Sequence, residues 1–343
     1  MAAYLVANSY LGILPEATRG VLNTGGTPVY VPVTAPQVTP MQTFLRDEAL
    51  RGSPVALYDE VQGVRHDEYD AKVYLFADTF PYLVKSILGG TDSVTPGTPG
   101  VANVHNLLLL NNAAIGSQPE SFSILDFDGA NYFTLLGAQA DQLEVSFGAE
   151  AAAESTVKFF ANPYTSSTTA PAPFGAPDLS TVHMIPAWDT SITFGPTGGS
   201  QTTVNYISDG TITLARKTAP IFTMGAQAPY QNFAGPIDVS GKFTAVVDSD
   251  ADVWSTGASA DALNYSPQQL SIKFTDPNDS IDSTPYSIEF AMYNVQFMNV
   301  KRTRGKAYTE VEVEFSARAN EADSDTGYSP LVAIITNATP DAY

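Results

Sequence analysis

The three histidines, His66, His105 and His183, are the side chains best suited to acid–base or metal chemistry in this sequence. None stands in an H-E-x-x-H pattern, whose spacing places two imidazoles on one helix face around zinc. The sequence also has no G-x-S-x-G motif, which exposes a nucleophilic serine on a sharp turn. A Ser–His–Asp triad assembled from distant positions stays open, but no local pattern favours a hydrolase or a zinc enzyme.

The stretch from Gly235 to Lys242 resembles a phosphate-binding P-loop, G-x-x-x-x-G-K-[ST]. Its spacing is one residue too long, and Phe243 stands where a serine or threonine hydroxyl must reach magnesium. A loop without that hydroxyl lacks a ligand for the metal that accompanies a nucleotide. We therefore interpret Lys242 as a solvated residue of a β-strand.

The run Asp248, Asp250 and Asp252 imitates the start of an EF-hand calcium loop. The glycine expected after the third aspartate is Val253, and the glutamate expected to close the loop is Ser259. We therefore interpret the run as an acidic turn, with a loose calcium site as the alternative.

Carbohydrate chemistry is not singled out either. In a chain with 36 Asp and Glu residues, pairs of carboxylates are too common to indicate a glycosidase. The two tryptophans, Trp188 and Trp254, and the 17 tyrosines could form an aromatic sugar platform, although most tyrosines stand at positions typical of a strand core or rim. A carbohydrate-binding or adhesive β-sandwich, such as a receptor-binding module, stays open as an alternative function.

One basic cluster, Lys301, Arg302, Arg304 and Lys306, stands between two segments of strong strand character. This position predicts the tip of a hairpin. The cluster is either a solvated turn or a surface that pairs with acidic residues of a neighbouring subunit, since opposite charges complement an interface and fix its register.

The composition excludes several classes of protein. A net charge of -20, from 16 Lys and Arg against 36 Asp and Glu, is the opposite of what duplex-DNA binding requires. The absence of cysteine excludes disulfides and thiol chemistry. The first residues lack the basic and apolar parts of a signal peptide, and the longest apolar run, residues 107–110, is far below the ~18 residues of a membrane span. We expect a protein without membrane partner that is made in a cytoplasm and stays soluble until it assembles.

The elements that must position these side chains are mostly strands. In residues 309–315, TEVEVEF, apolar side chains alternate with three glutamates, and residues 142–147, 270–274 and 286–290 alternate in the same way. Turn signals such as Asp128-Gly129 and Asp209-Gly210 separate such segments. The pattern predicts roughly fourteen strands in a mostly β, antiparallel, sandwich or barrel-like fold.

One short α-helix is predicted over residues 79–88. Asp78 is a candidate N-cap, Pro81 stands in the first turn, and Gly89-Gly90 follows the last apolar residue. An apolar stripe within this segment predicts that the helix packs on the sandwich.

Long loops are predicted at residues 91–100 and 162–180, which are rich in Gly, Pro, Ser and Thr. The second is expected to be an exposed arm, with a mucin-like linker as the alternative. No change of composition divides the chain, so we predict a single domain over residues 1–343.

Three segments resemble parts of the tail tube proteins of siphophages, the phages with long, non-contractile tails. Residues 44–54 (FLRDEALRGSP), residues 58–76 (YDEVQGVRHDEYDAKVYLF) and the helix DTFPYLVKSILGG resemble the family's long hairpin and single helix. Residues 305–337 (GKAYTEVEVEFSARANEADSDTGYSPLVAIITN) are similar to its closing part. Together they cover about a third of the chain, and the order of elements carries the resemblance more than any one residue does.

The resemblance implies a β-sandwich flanked by a helix that forms hexameric rings, which stack around an electronegative lumen. DNA would pass through this lumen into the host without specific binding. It further implies a structural protein of the virion tail, made in the bacterial cytoplasm, with no enzymatic activity and no cofactor. The implied partners are copies of the chain itself, the tape measure protein, and the tail terminator and distal tail proteins. Residues 161–220 look like an insertion relative to a minimal tube domain.

Two groups of candidate site residues follow. The candidates for the lumen are the acidic strand positions Asp141, Glu144, Glu310, Glu312 and Glu314. The candidates for contacts between subunits are the residues of the first charged loop and of the basic cluster: Arg46, Asp47, Glu48, Arg51, Lys301, Arg302, Arg304 and Lys306. An outward-facing, solvated strand would explain the same glutamates, and another virion shell protein, such as a capsid or decoration subunit, stays open as a function.

Overall fold

A computed structural model describes residues 8–49, 51–95, 102–175, 177, 183–196, 199–204, 206–247, 268–304, 307–320, 328–340 and 343. Within these residues the chain is mostly β, as predicted, with one α-helix, α1, at Phe80–Leu88, and short 3-10 turns at Ala113–Ile115 and Ala187–Asp189. The strands are β1 Tyr10–Pro15, β2 Val29–Val31, β3 Gln37–Asp47, β4 Asp59–Tyr74, β5 Gly89–Thr95, β6 Asn103–Leu109, β7 Phe122–Phe127, β8 Tyr132–Gly148, β9 Glu154–Ala161, β10 Thr165–Ser167, β11 Thr190–Pro196, β12 Thr202–Val204, β13 Ile207–Ala215, β14 Ala219–Ile221, β15 Gln231–Phe233, β16 Asp238–Val246, β17 Gln268–Ile281, β18 Thr284–Thr303, β19 Glu310–Ala317 and β20 Val332–Asn337.

Two broad antiparallel sheets share the long strand β18. The large sheet has the order β3-β4-β9-β8-β13-β16-β19-β18. The facing sheet has the order β12-β11-β17-β18-β20-β6-β5. The register of β18 shifts between Phe297 and Asn299 where it pairs with β19. Its first half thus belongs to the facing sheet and its second half to the large sheet, which joins the two layers.

A third, smaller sheet, the end sheet, has the order β2-β1-β7-β8-β10. It uses the first half of β8, whose second half lies in the large sheet. Gly137, with a φ of +64°, and a register shift between Ala140 and Gln142 mark the change of partners. A left-handed residue and a bulge bend a strand locally, so β8 can serve both sheets.

The core lies between the large and facing sheets. Phe147 of β8 meets Phe274 of β17 with ring centroids 5.3 Å apart, and Phe194 of β11 meets Phe297 of β18 at 5.9 Å. Such T-shaped aromatic pairs add to the burial of apolar surface, worth ~25 cal/mol per Å². Buried and partly exposed residues alternate along β19 from end to end, which confirms the predicted two-faced strand.

The helix α1 confirms the prediction to within one residue, but its caps differ from it in part. The N-cap is Thr79 rather than Asp78, and it makes no side-chain capping hydrogen bond. At the other end Gly89 adopts a left-handed conformation, with φ of 73°, and its N–H bonds the carbonyl oxygen of Lys85. The guanidinium of Arg216 also donates to the carbonyl oxygens of Ile87 and Leu88. This long-range cap leaves no signal near the helix in the sequence.

The loop predicted at residues 91–100 is wrong in its first half. Residues 91–95 continue β5, which pairs with β6 in the facing sheet, whereas residues 96–100 lie outside the described residues. Thr91, Ser93 and Thr95 fit a pleated surface, and β6 supplies their hydrogen-bonding partners. Because β6 comes later in the chain, the composition of residues 91–95 alone does not indicate this pairing.

The described residues of the stretch 162–180 are irregular, as predicted, except for the three residues of β10. It is anchored rather than free in the part that the structure describes. Phe174 is buried against Leu14 and Leu125, and the carbonyl oxygen of Gly175 accepts hydrogen bonds from the hydroxyls of Tyr10 and Tyr30.

The predicted number of strands, roughly fourteen, is too low because twenty are present in the described residues. Five of them, β2, β10, β12, β14 and β15, have only three residues, too few to show a period of two. Asp128-Gly129 does lie in a turn, whereas Asp209-Gly210 lies inside β13 beside a bulge.

Strands from the predicted insertion, residues 161–220, are woven into both layers. β13 lies between β8 and β16 in the middle of the large sheet, and β11 pairs with β17 in the facing sheet. The description of this segment as an insertion stays a prediction. No helix in the described ranges is long and apolar enough to cross a membrane.

Candidate functional site

The solvent side of the large sheet forms one continuous charged surface, here called the polar face. Along one row, Glu144 of β8 stands opposite Thr213, which stands opposite Ser240, which stands opposite Ser316 of β19. Since residues two apart share a face, Glu314 joins Glu144 on this side. The charged members of the polar face are Glu68, Asp70, Lys72, Asp141, Glu144, Glu154, Lys158, Asp209, Lys242, Lys301, Glu310, Glu312 and Glu314. Carboxylates outnumber lysines among them.

The β19 glutamates lie between β16 and β18. Glu312 stands opposite Thr244 on one side and Lys301 on the other, and its Oε1 is 3.9 Å from Nζ of Lys242. Glu314 accepts a hydrogen bond of 2.5 Å from the side-chain amide of Asn299. Lysines and an amide of the adjacent strands thus lie beside these glutamates. Exposed pairs of this kind contribute only ~0–1 kcal/mol each, so they relieve repulsion without neutralising the face.

A second charged cluster lies where β4, β9 and β8 meet. Nζ of Lys158 is 2.8 Å from Oε2 of Glu68, and this hydrogen bond raises the pKa of the lysine. Asp141 sits at the bulge opposite Lys158, where its Oδ1 accepts a bond of 2.6 Å from the backbone N–H of Thr218. Burial raises the pKa of Asp141 and also that of the neighbouring Asp70. Asp141 therefore lies on the polar face, and its hydrogen bond from Thr218 also anchors the segment after β13.

The first set of predicted contact residues lies at the tip of the β3–β4 hairpin. Among the described residues, β3 pairs only with β4, and β4 pairs with β9 only from Asp67 onward, so the far part of the hairpin projects beyond the sheet. The side chains of Phe44, Leu45 and Val61 are 54%, 64% and 58% exposed there. A projecting strand pair with bare apolar side chains is typical of a surface that meets another chain.

The charges of this tip are mostly paired with each other. Nε of Arg46 is 3.2 Å from Oε1 of Glu60. Arg51 pairs with Asp47 and also lies over the ring of Tyr58, 5.0 Å from its centroid.

Glu48 differs from these residues. It is exposed, and no cation of the described residues lies within ion-pair distance of it.

The second set of predicted contact residues lies at the β18–β19 hairpin, as the sequence indicates. Lys301 and Arg302 end β18, and Arg304 is exposed just beyond it, whereas Lys306 lies outside the described residues. Lys301 stands opposite Glu312 of its own chain. The fold thus places the tip of the β18–β19 hairpin beside the acidic side of β19 in the same chain. A contact with a neighbouring subunit would be additional.

Of the two motifs that imitate other functions, the structure describes the P-loop-like stretch, and that stretch forms no phosphate site. Gly241 and Lys242 lie inside β16, and the ring of Phe315 packs against the α-carbon of Gly241, which leaves no loop for a phosphate. The acidic run from Asp248 to Asp252 lies outside the described residues. No cluster of three or more metal-binding side chains is present in the part of the chain that the structure describes.

The histidines have separate surroundings. His105 is buried, with Nδ1 2.6 Å from Oδ2 of Asp92 and Nε2 2.9 Å from the carbonyl oxygen of Thr339. His183 contacts Asp279 at 3.0 Å on the surface. The ring of His66 lies against those of Phe160 and Phe222. No hydrogen bond of the described residues joins any of the three histidines to a serine, so the geometry gives no support to the triad left open by the sequence.

Sequence reasoning missed two concave surfaces. One, of about 330 Å³, is lined by the exposed rings of Trp188 and Tyr206 together with Val204. The other, of about 520 Å³, has mainly apolar walls and contains Arg216. The linings come from segments far apart in sequence, so no local motif could have indicated them.

Comparisons with known proteins identify a family for this chain. The chain matches the family described as phage tail tube protein over residues 6–317. Among solved structures, it is similar to the SPP1 tail tube determined by solid-state NMR and cryo EM. That similarity has 13% sequence identity and a TM-score of 0.30, and it covers 45% of this chain and 78% of that chain. No curated protein matches the chain.

Proposed function

Since the chain belongs to the phage tail tube protein family, a structural and non-enzymatic family whose members assemble into a tube, we propose that it is the major tube subunit of a long, non-contractile tail. Its copies form hexameric rings, and the rings stack head to tail. A head-to-tail contact does not close on itself, so it extends into a filament.

The polar face carries this proposal, and we place it toward the bore. It spans neighbouring strands from β4 to β18 without a break, and carboxylates dominate it. DNA that moves through a channel must not adhere to the wall. Because phosphates and carboxylates repel each other within the Debye length, about 8–10 Å at physiological salt, an acidic wall prevents docking.

The hairpin tips supply the contacts between subunits in this proposal. The β3–β4 tip, with Arg46, Asp47, Glu48 and Arg51, lies beyond the sheet and reaches an adjoining ring. The basic residues Lys301, Arg302, Arg304 and Lys306 pair with acidic groups of a neighbouring subunit in this proposal.

In the assembled virion the ends of the tube would meet other tail components. The tape measure protein would occupy the lumen before ejection, and the tail terminator and distal tail proteins would close the two ends. The subunit would be made in the bacterial host cytoplasm and would contact DNA only in passage. These partners follow from the proposed place in the tail.

Electron microscopy and analytical ultracentrifugation of the purified full chain at increasing concentration test the proposal. Hollow tubes with six subunits in each ring are expected. A protein that stays monomeric alone and in every assembled particle would overturn the proposal, and a shell would favour the capsid or decoration alternative.

A second function, carbohydrate binding, has one observation in its favour, the concave surface beside Trp188 and Tyr206. Aromatic faces of this kind stack on sugar rings. Glycan-array binding by a discrete oligomer that is lost in Trp188→Ala would favour this function, whereas tubes without glycan binding would exclude it.

A further inference from the structure

The larger concave surface, here called the Arg216 groove, lies where the chain between β15 and β16 passes the end of β6. Its volume is about 520 Å³, and it is open on one side. Its walls are mainly apolar, and the residues that form them include Leu109, Phe233, Pro236, Ile237, Tyr328 and Pro330. Phe233 and Tyr328 remain 42% and 46% exposed. The groove therefore offers apolar surface that the rest of the described chain leaves uncovered.

The groove contains a buried cation. Arg216 is only 3% exposed, and its Nη2 donates a hydrogen bond of 2.8 Å to the carbonyl oxygen of Leu88. Its Nε donates to the carbonyl oxygen of Ile87. A guanidinium has five N–H donors, so two carbonyl partners leave donors unused.

No carboxylate of the described residues lies within ion-pair distance of Arg216. Burial lowers the pKa of its guanidinium to about 10, as expected for a cation without a counter-charge. A carboxylate that entered the groove would form an ion pair with Arg216. The electrostatic attraction within such a pair is strongest where water is excluded.

The β3–β4 hairpin tip carries the complementary features. Phe44 and Leu45 are more than half exposed, and Glu48 lies just beyond the end of β3. Among the other carboxylates of the tip, Asp47 and Glu60 are paired with arginines of the same hairpin, and Asp59 accepts a hydrogen bond from the backbone N–H of Glu60. Glu48 has no such partner among the described residues. An apolar pair beside one free carboxylate matches an apolar groove that holds one buried guanidinium.

We propose that the Arg216 groove receives the β3–β4 hairpin tip of a second copy of the chain. The apolar side chains of Phe44 and Leu45 cover its walls, and the carboxylate of Glu48 reaches the guanidinium of Arg216. This assignment rests on the proposed tube and names the surface that receives the projecting hairpin. Desolvated charge pairs of this type fix the register of an interface, so the contact sets how one subunit sits on the next.

Disulfide cross-linking tests the contact directly, because the natural chain has no cysteine. Phe44→Cys and Phe233→Cys are prepared as separate single-cysteine proteins, mixed, assembled and oxidised. A covalent dimer that forms in the mixture under assembly conditions and is absent before assembly is expected. Val21 is 55% exposed and serves as the control position. A mixture of Val21→Cys with Phe44→Cys should give no dimer.

Charge reversal supplies an independent measurement. Glu48→Lys should raise the concentration needed for tube formation by about tenfold or more, because the introduced cation would face the buried guanidinium of Arg216. Glu150→Lys, at another exposed glutamate, should leave that concentration unchanged. Unaltered assembly of Glu48→Lys together with absent cross-links would overturn the groove contact while tubes of the natural chain would still support the proposed function. Failure of the natural chain to form tubes would instead overturn the proposed function.

Hydrogen exchange on the natural chain covers the case in which the cysteine variants do not assemble. The amides of Phe233, Ala234, Gly235 and Ile237 should exchange about tenfold more slowly in tubes than in unassembled protein, since a seated hairpin excludes water from the groove. Equal exchange in both states would contradict the proposal.

Discussion

Glu16, at the end of β1, accepts a hydrogen bond of 2.8 Å from the backbone N–H of Gly137 in the strand β8. The same carboxylate accepts bonds from the hydroxyls of Ser121 and Ser123 and from the N–H of Gly20. One buried side chain thereby ties β1 to the chain before β7, to β7 itself and to the bend of β8. A carboxylate that accepts four bonds is well satisfied despite its burial.

Glu16→Gln should lower the free energy of unfolding by about 2–3 kcal/mol. The amide nitrogen of glutamine is itself a donor, so it would face donors that now point at a carboxylate oxygen. Denaturant unfolding followed by circular dichroism measures the loss, and Glu150→Gln is the control at an exposed site. An unchanged midpoint would show that the four bonds contribute nothing net.

Asp126→Asn should stabilise the fold at neutral pH. Burial, followed by the nearby charge of Asp128, raises the pKa of Asp126 from 3.8 to about 6. The folded state then holds its proton more tightly than the unfolded state, so the natural protein loses stability as pH rises from about 4 through 6.

The free energy of unfolding of Asp126→Asn should exceed that of the natural protein by about 1–3 kcal/mol at pH 7, and the difference should vanish below about pH 4. Unfolding curves at several pH values measure this. Asp282→Asn, at an exposed turn, should show no such dependence. A difference that is constant with pH would mean that ionisation of Asp126 is not its cause.

Replacement of Glu310, Glu312 and Glu314 by lysine should give tubes that bind DNA and eject it poorly. The change turns the acidic strand of the polar face basic, beside Lys242 and Lys301, and basic residues release phosphate counterions. Co-sedimentation with duplex DNA at low and high salt measures the binding.

The triple glutamine variant is the matched control, because it removes charge without adding any. It should bind DNA less than the lysine variant does. Normal ejection by the lysine variant, or an assembled structure with these side chains on the exterior, would contradict a lumen assignment.

Reversal of charge at Arg46 and Arg51 should impair assembly without impairing folding. Both side chains lie at the exposed hairpin tip, where each local pair contributes only ~0–1 kcal/mol to stability. The yield of tubes by electron microscopy and the unfolding midpoint are measured together on Arg46→Glu/Arg51→Glu. Lys273→Glu, on the facing sheet, is the control. A normal yield of tubes would remove the hairpin charges from the interface.

Local pattern was enough to predict several parts of the fold. The alternation of residues 309–315 located β19 and its acidic side, and the apolar stripe after Asp78 located α1 to within one residue. Period and turn chemistry are properties of adjacent residues, so they can be read without tertiary information. The sequence did not predict the five three-residue strands or the strand in the first half of the loop at residues 91–100. These segments are strands because they pair with partner strands, and not because of their own sequence pattern.

The amino-acid sequence alone was enough to predict a mostly β, acidic, cysteine-free chain with one helix and with charged hairpin tips. It also supplied the separate acidic segments of β8 and β19. That Glu144 and Glu314 share one face of one sheet became evident from the three-dimensional fold, because it depends on the register of the strands β13 and β16 between them. The fold also buries Arg216 beside the end of α1, more than a hundred residues away in the chain. Contacts at such separations are set by sheet order and packing, which no local period of the sequence encodes.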